Sequence, residues 1–408
     1  MAQGHDTATE RPAVDSAGLR GSNQSGMRAH NERLVLSLVR RDGALAKSDI
    51  ARMTGLSAQT VSVIMRGLES DGLLQRGEPI RGRIGQPSVP MSLAADGAYF
   101  FGLKIGRRSV DLVLVDFLGQ PVGFRRQTYR YPTPEAVVRF VQDALPALSA
   151  ALPGPMRGRI GGLGIAIPFQ LWSWVQQIAA PPGALDAWRD RDIAAELAVI
   201  CDMPVYVQND ATAACGAELV FGTGERPSDF LYFYIGFFIG GGLVLNQRLF
   251  TGRTGNAAGV GPMPVPGPDG RSHRLMTVAS LSTLADAMTA AGDDADQLWA
   301  SPEPWQVSDT VLSAWIAGAA EGLAGAILSA ATLVEIDTVM IDGWMPSALR
   351  ARLVAETLAA FNRLDLSGVS PPLIREGTVG PQARALGGAA IPLSQRFLVD
   401  QTMIQKSG

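Results

Sequence analysis

The body of the chain opens with YFFGLKIG at residues 99–106 and VDLVLVDFLGQPV at residues 110–122. Both runs are apolar and turn residues separate them, which is typical of antiparallel strands in a meander. A helical stretch at 134–152 and another apolar run, GLGIAIP at 162–168, come next. The segment therefore predicts an α/β domain that begins with a strand hairpin.

The second half of the chain repeats this order of elements. Apolar strand-like residues at 230–245 precede helical stretches at 281–291 and 308–331, a strand at 339–341 and a helix at 346–361. The 230–245 run is uncharged but has only 16 residues and four glycines. A membrane span needs about 20 apolar residues, so we interpret this run as two strands. Two strand–helix blocks predict a two-lobed α/β body with a cleft between the lobes.

Composition limits the class of protein. The chain has 408 residues, of which 47% are hydrophobic and 18% charged, which predicts two or three globular domains. Its two cysteines, Cys201 and Cys215, are too few for a disulfide framework and lack the spacing of a zinc site. Residues 1–25 contain no apolar core of the signal-peptide type and are expected to form a mobile arm. We expect a cytoplasmic protein without a membrane partner.

Charge is divided unevenly along the chain. Residues 1–91 carry 12 Lys/Arg and 9 Asp/Glu, leaving 23 and 29 for the remainder, so the net charges are +3 and -6. A basic segment joined to an acidic body is expected when a nucleic-acid reader is fused to another module. Ordinary fluctuation also produces a difference of this size.

The basic segment has the pattern of a helix-turn-helix. Leu34, Val35 and Leu38 form one apolar stripe on a first helix at 31–41. A second helix, capped by Ser48, is expected to run through residue 53, and Gly55 supplies a left-handed stop. A third helix then follows. This order of helix, tight glycine turn and helix is typical of DNA-binding domains.

The third helix is expected to begin at the N-cap Ser57 and to stop at Asp71-Gly72. Its apolar positions, 61, 64, 65 and 68, lie on one side at helical spacing, and polar positions lie on the other. Hydroxyl, amide and guanidinium groups on that outer face suit readout of base edges in the major groove. A solvated helix face is the simpler alternative. The candidate DNA contacts on this helix are Ser57, Gln59, Thr60, Ser62 and Arg66.

A wing is predicted after the third helix. Short apolar stretches at 73–74 and 88–93 flank the glycine-rich segment RGRIGQP at 81–87. Arginines on such a loop can enter a narrow minor groove, so Arg81, Arg83 and Gln86 complete the candidate DNA contacts. Arg81 and Arg83 can equally be ordinary loop charges.

Four further stretches, in order, resemble the ROK family of repressors, open reading frames and sugar kinases. They are FGLKIG at 101–106, NDATAA at 209–214, IGGG at 239–242 with GNAA at 255–258, and GPQARALGGAA at 380–390. The resemblance covers about residues 28–400. It implies an α/β fold in which a winged helix-turn-helix precedes a two-lobed, actin-like ATPase body of ribonuclease-H-like lobes.

The resemblance also implies domain limits and an oligomer. We expect a flexible arm at 1–25, the winged helix-turn-helix at 26–95, one lobe at 96–225, the second at 226–375, and a closing helix at 376–400 that returns to the first lobe. Repressors of this kind act on two half-sites, so a homodimer or homotetramer is expected.

The first departure from the kinases of the family concerns phosphate. The kinases carry Asp-Ile-Gly-Gly-Thr where this chain has Lys104-Ile105-Gly106-Arg107-Arg108. A lysine replaces the carboxylate that helps to position magnesium, and an arginine replaces the second glycine. Cations at these positions attract phosphate, but phosphoryl transfer needs both the metal and the small turn. We expect no kinase activity and no nucleotide cofactor.

The second departure concerns sugar and zinc. The kinases carry Ala-Gly-Glu-Ile-Gly-His-Met, in which Glu and His hold the sugar and His ligates zinc. This chain has AAGVGPM at 257–263 and lacks both polar groups and the cysteine cluster that follows them. His273 alone is interpreted as a surface residue, since closed zinc sites need four ligands. We expect no metal.

What remains of the sugar site is Asn209-Asp210. In the kinases this Asp takes the proton from the sugar hydroxyl; in a repressor the same pair can hydrogen-bond a polyol. The alternative is that Asp210 is the N-cap of the helix at 211–220. Trp172 and Trp174 are a second candidate, as aromatic platforms for a sugar ring or as packing residues.

Three hypotheses follow. The leading one is a transcriptional regulator, a repressor, that binds a double-stranded DNA operator and whose kinase-dead body senses a carbohydrate-type effector. The second is a sugar kinase with an attached DNA-binding module, which ATP turnover with hexoses would reveal. The third is a body that binds no ligand and only dimerises.

Overall fold

The computed structural model describes residues 24–79, 89–175, 178, 180–267 and 269–399. The DNA-binding pattern lies within the first of these ranges and the start of the second. It comprises three helices and two strands: α1 (Gln24–Asp42), α2 (Lys47–Thr54), α3 (Ala58–Ser70), β1 (Leu74–Arg76) and β2 (Met91–Leu93). The strands pair antiparallel with Leu74 opposite Leu93. The predicted winged helix-turn-helix is confirmed.

Two details of its helices differ from the prediction. The first helix begins at Gln24, seven residues before the expected start at residue 31, so its apolar stripe covers only part of its length. Ser48 is not the cap of α2: the N-cap is Ala46, which has no side-chain acceptor, and Ser48 lies inside the helix. Gly55 adopts φ 68°, the left-handed stop that the sequence predicts, and its N–H donates to the Ala51 carbonyl.

The first lobe is built on a five-stranded sheet of order β5-β4-β3-β6-β7. Its strands are β3 (Tyr99–Ile105), β4 (Ser109–Val115), β5 (Pro121–Thr128), β6 (Ile160–Ile167) and β7 (Val205–Asn209). The first three are antiparallel, and β6 and β7 continue the sheet in parallel. The helices of this lobe are α4 (Pro134–Ala150), α5 (Gly154–Arg157), α6 (Ala187–Asp190), α7 (Ile193–Cys201) and α8 (Asp210–Phe221).

The second lobe repeats this topology with order β10-β9-β8-β13-β14. Its sheet strands are β8 (Phe230–Ile235), β9 (Ile239–Leu245), β10 (Arg248–Phe250), β13 (Thr338–Gly343) and β14 (Leu373–Glu376); β11 (Pro264–Pro266) and β12 (Ser272–Arg274) form a separate pair. Its helices are α9 (Leu281–Ala291), α10 (Gln297–Ala300), α11 (Asp309–Ala331) and α12 (Ser347–Phe361). The run at 230–245 therefore forms two strands, as predicted. Short 3-10 turns lie at Ala95–Gly97, Leu171–Trp174 and Leu275–Thr277.

A final helix, α13 (Ala383–Phe397), returns to the first lobe and packs on β3, β6 and α8. The approach requires glycine in the sheet: a Cβ at Gly102 would collide with the Ala385 carbonyl, and one at Gly164 with that of Gly388. The predicted α/β fold, a winged helix-turn-helix before a two-lobed body of the actin-like ATPase type, is confirmed.

One continuous core joins the winged helix to the first lobe. Val35 and Val39 of α1 share it with Phe100, Phe117 and Leu393 of the body. Polar contacts reinforce it, since the Val399 N–H donates to Ser37 Oγ at 3.1 Å. The DNA-binding domain is thus anchored on the body.

Helix α11 is, by length and composition, apolar enough to cross a membrane. Half of its most apolar stretch is buried inside the protein, where it packs against α9 and α12. This placement is that of a core helix.

Candidate functional sites

Helix α3 presents the outer face that the sequence predicts. Ser57 is its N-cap, accepting the Thr60 N–H at 3.1 Å, and the two hydroxyls lie 2.8 Å apart. Val61, Ile64, Met65 and Leu68 are buried. Gln59 and Arg66 are exposed, Ser62 is half-buried, and the Arg66 Nε donates to the Ser62 carbonyl. The helix is therefore seated by its apolar side and leaves its polar side to solvent.

Sequence reasoning missed one cation on this face. Lys47, the first residue of α2, places Nζ 3.4 Å from Ser62 Oγ. The turn at Gly55 folds α2 back onto α3, and this brings a residue 15 positions away to the reading face. No periodic signal in α3 itself could have revealed it.

The wing strands are present, and the Gly77 N–H donates to the Pro90 carbonyl at 2.8 Å. Arg81, Arg83 and Gln86 lie outside the described residues. Arg76 at the base of the wing pairs with Glu69 of α3, with Nε 2.6 Å from Oε1. This pair links the wing to the helix that precedes it.

The expected cap of α8 is displaced by one residue. Asn209 at the end of β7 is the N-cap, and its Oδ1 accepts the N–H groups of Ala211 and Thr212 at 3.1 and 3.2 Å. Asp210 is the first residue inside the helix rather than its cap. Since β7 continues through Asn209, the chain turns into the helix one position earlier than predicted.

Asp210 is buried and paired. It is 8% exposed, and its Oδ2 accepts a hydrogen bond from Arg384 Nη1 of α13 at 3.1 Å. The Arg384 guanidinium also lies over the Tyr234 ring of the second lobe, 4.8 Å from its centroid. The Asp210 carboxylate is therefore already engaged by a side chain of the closing helix.

A second cluster of buried charges lies around Lys104, near the end of β3. Lys104 is 3% exposed; its Nζ lies 2.6 Å from Ser109 Oγ and 3.2 Å from Asp111 Oδ2. Arg126 reaches the same carboxylate at 3.0 Å. Burial lowers the pKa of Lys104 to about 7, although Asp111 acts to raise it. Lys104 is thus held by neighbouring strands of its own sheet.

Three neighbouring arginines cross to the second lobe. Arg126 donates to the Trp299 carbonyl at 2.7 Å and lies 4.0 Å from the ring centroid of Trp344. Arg107 lies over Phe238 at 4.6 Å, and burial lowers its pKa to about 10. Arg108 lies over Phe237 at 5.3 Å. These cation–π contacts connect the lobes beside the segment at 104–108.

Trp172 lines a cavity of about 520 Å³ at the carboxyl ends of β6 and β7, which we call the Trp172 cavity. Its walls are Ile167, Pro168, Phe169, Gln170, Leu171, Trp172, Trp188, Arg189, Asp190, Arg191, Asp192, Ile193, Ala194 and Val207. Gln170 has φ 58°, in the left-handed region that non-glycine residues rarely adopt. The described lining includes neither Asn209 nor Asp210, and the structure does not describe the Trp174 side chain. The two sets of predicted effector contacts therefore do not meet in this cavity.

Polar groups at the rim of the Trp172 cavity differ in their availability. Arg191 is paired with Glu196, with Nη2–Oε2 2.9 Å, and Asp192 caps α7 by accepting the Ala195 N–H at 3.0 Å. Arg189 and Asp190 are exposed. Aromatic walls with a few polar groups at the rim are the usual make-up of a small-molecule site.

No group of three His, Cys, Asp or Glu residues suited to a metal occurs in the described part of the chain. His273 lies on β12 with Nε2 2.7 Å from Asp269 Oδ1. The expectation that the protein carries no metal stays a prediction.

Comparison with known proteins identifies two family regions. The ROK family model matches residues 100–391, and a winged helix-turn-helix DNA-binding model matches residues 28–75. The first region covers more than half of the chain and contains Asn209, Asp210 and the buried cations described above.

Individual relatives agree with these models. A Sinorhizobium fredii protein described as uncharacterized, y4fQ, is 26% identical over 90% of this chain and 91% of its own length. The xylose repressor of Bacillus subtilis is 24% identical over 60% of this chain, and the match spans 62% of that repressor. Among solved structures, a ROK family transcriptional regulator described as a homolog of the E. coli MLC protein matches with TM-score 0.64 and 20% identity over 91% of this chain and 96% of its own.

Proposed function

The chain belongs to the ROK family, and we propose that it is a DNA-binding transcriptional repressor whose ROK body senses a carbohydrate-type effector. The observation that carries the proposal is the exposed, N-capped helix α3 of a winged helix anchored on a ROK body. The similarity to a xylose repressor over 60% of the chain supports it.

We further propose that the body has no kinase activity. Magnesium–nucleotide binding needs a carboxylate and a small turn beside the phosphates. Lys104 and Arg107 stand at these positions, and the neighbouring arginines already engage aromatic rings of the second lobe. These residues do not fit a magnesium–nucleotide complex, so the body is proposed to bind ligand without phosphorylating it.

The effector is proposed to bind in the Trp172 cavity. The Trp172 ring would lie against the apolar face of a sugar, while Gln170, Arg189 and Asp190 supply hydrogen bonds to its hydroxyls. A ligand at Asp210 would compete with Arg384 for the same carboxylate. We therefore propose that Asn209 and Asp210 contribute to the response by positioning α8 and α13.

Repression by such a protein is proposed to use a cytoplasmic homodimer or homotetramer. Two copies of α3 would read two half-sites, and an effector that alters the arrangement of the lobes would change the spacing between the two copies of α3.

Within each copy, we propose the domain limits expected from the sequence: 26–95 for the winged helix, 96–225 and 226–375 for the lobes, and 376–400 for the closing helix. The wing residues Arg81, Arg83 and Gln86 are proposed as DNA contacts beside Ser57, Gln59, Thr60, Ser62 and Arg66.

The test uses the full chain. DNA sites are selected from a random library, and affinity is then titrated at fixed salt with and without a panel of pentoses and hexoses. We expect a selected site bound at least about 10³-fold more tightly than random DNA, with an affinity that one sugar changes. ATP turnover is measured with the same sugars. Turnover without sequence-specific DNA binding would favour the kinase hypothesis instead.

A further inference from the structure

A large groove lies beside the core that joins the winged helix to the body, and both parts line it. Its volume is about 1160 Å³, and it is bounded by α1, α8, the β9–β10 turn and α13. We call it the basic groove, because its charged lining residues are all arginines: Arg33, Arg40, Arg41, Arg226 and Arg248. Among the described residues that line it there is no aspartate or glutamate.

The arginines come from both sides of the groove. Arg33, Arg40 and Arg41 belong to α1 of the DNA-binding domain, whereas Arg226 lies in the loop between α8 and β8 of the body. Arg41 is paired with Asp42 at 2.6 Å. Arg33 is exposed and forms no ion pair with any residue that the structure describes. Positive charge in the groove is therefore only partly compensated.

Arg40 and Arg226 both line the basic groove, and the like charge of Arg226 disfavours the charged form of Arg40. The Arg40 Nη2 donates to the Phe117 carbonyl at 2.5 Å, but its buried Nε has no acceptor among the described residues. Burial lowers the pKa of Arg40 to about 10, and Arg226 lowers it further while Asp116 acts to raise it. Burial also lowers the pKa of Arg226, with Arg41 adding to the effect and Asp42 opposing it. An anion between these guanidinium groups would relieve the repulsion.

We propose that the basic groove binds a phosphate-type oxyanion, as free phosphate or as the phosphate ester of a small metabolite, between the arginines of α1 and Arg226. Guanidinium groups bind phosphate oxygens through paired, charge-assisted hydrogen bonds. Gln208, Ser394 and Gln395 also line the groove and offer polar contacts to the remainder of an ester.

The position of the groove gives the bound oxyanion a consequence for DNA binding. One wall is α1 of the winged helix and the other is the body, so an anion that bridges them would restrict how α3 is presented. Arg33, Ser37 and Arg40 lie on the opposite side of α1 from Val35 and Val39, which pack in the core shared with α3. The groove therefore faces away from the DNA-reading side of the domain, which favours a small ligand over the DNA backbone.

The test is calorimetric titration of the full chain, without DNA, at constant ionic strength set by chloride. The probes are inorganic phosphate, glucose 6-phosphate and glucose. We expect both phosphate compounds to bind and Arg226→Gln and Arg33→Gln to weaken them by about ten-fold or more. Arg226→Lys, which keeps the charge, should retain part of the affinity. Arg139→Gln, an exposed change on α4, is the matched control and should stay within about two-fold of the original protein.

The probes also separate the two sources of the oxyanion. Tighter binding of glucose 6-phosphate identifies an ester as the occupant, and tighter binding of inorganic phosphate identifies the free ion. Phosphate affinities that neither Arg226→Gln nor Arg33→Gln changes would overturn the proposal. A separate DNA titration gives the second contrary outcome: if Arg226→Gln leaves phosphate binding intact and makes DNA binding weaker and less dependent on salt, the groove contacts the DNA backbone instead. Because the calorimetric titration contains no DNA, its failure leaves the repressor proposal standing.

Discussion

The Arg384 guanidinium and the Asp210 carboxylate form a buried ion pair, with Arg384 Nη1 3.1 Å from Asp210 Oδ2. The pair joins the closing helix α13 to the first turn of α8, where a carboxylate also interacts favourably with the helix dipole. Because Arg384 lies over Tyr234, the same side chain reaches the second lobe. One arginine thus connects α13, α8 and the second lobe around Asp210.

We expect Asp210→Asn to lower the free energy of unfolding by about 3–5 kcal/mol, since it leaves the Arg384 charge buried without a counter-charge. The exposed Asp186→Asn is the matched control and should change it by less than about 0.5 kcal/mol. Urea unfolding measures both. Because Asn209 is the helix cap, loss of capping does not contribute. A loss below about 1 kcal/mol in Asp210→Asn would show that the ion pair does not stabilise the fold.

Readout by α3 is tested with Gln59→Ala and Arg66→Ala, whose side chains are exposed. Each should weaken binding to the selected DNA site by about 1–3 kcal/mol if the side chain reaches a base edge. Lys47→Ala, beside Ser62, should weaken specific and random DNA alike, because a lysine there would contact phosphate. Titrations of each variant with the selected site and with random DNA, at one salt concentration, measure both affinities. A residue whose removal leaves the ratio of specific to random affinity unchanged does not read sequence.

Restoring the residues of the kinases at positions 104 and 107 alone should not create kinase activity. Lys104→Asp with Arg107→Gly supplies the missing carboxylate and the small turn, but the new carboxylate would face Asp111, whose partner across the hairpin is residue 104. Arg126 and Arg384 stay near the site, and Gly259 and Pro262 remain unchanged. We expect no ATP-dependent phosphorylation of any hexose by the double variant. Turnover by the unmodified protein would contradict the proposal that the body has no kinase activity.

Local patterns predicted much of this structure. Helical spacing identified the buried side of α3, and apolar runs with turn residues identified both hairpins, because burial forces those periodicities on the sequence. Caps were less predictable: Ser48 was expected to cap α2 and Asp210 was the alternative cap of α8, but the N-caps are Ala46 and Asn209. The residue at which the preceding strand or turn ends determines which residue caps the helix. That boundary depends on packing beyond the local sequence.

The partners of the charged site residues could not be predicted. Arg384 is 174 positions from Asp210, and Arg126 reaches Trp299 across 173 positions. Such contacts exist only because α13 returns to the first lobe and the lobes close on each other. Lys104 and Asp111 are the exception, since a hairpin register that places them opposite each other could have been anticipated from their spacing across a turn.

The pH dependence of the free energy of unfolding should reveal the titration of the buried Lys104 amine. Its pKa in the folded protein is lowered to about 7 from an ordinary value of 10.5, so between these values the unfolded chain binds more protons than the folded one. The free energy of unfolding should therefore increase with pH across that range relative to a Lys104→Met variant. Urea unfolding of both proteins at pH 7, 8 and 9 measures the difference. A difference that stays constant would mean that Asp111 keeps Lys104 charged above pH 9.

The effector proposal is tested by Trp172→Ala, which removes the aromatic wall of the Trp172 cavity. We expect the change in operator affinity caused by the active sugar to disappear, while sugar-free DNA binding stays within a few-fold, because Trp172 packs with the core of the first lobe and not with the core that holds the winged helix. Trp172→Phe keeps an aromatic face and should retain part of the response.

Arg189→Gln, a change at the rim of the same cavity, separates ligand contact from loss of packing, since Arg189 is exposed and its removal costs little stability. It should raise the sugar concentration needed for half of the response without reducing the maximum. If Trp172→Ala and Arg189→Gln both respond like the original protein, the sugar does not bind in the Trp172 cavity, and Asn209-Asp210 becomes the alternative site. The Arg384–Asp210 pair would then have to open to admit it, and sugar binding would compete directly with the contact that joins α13 to α8.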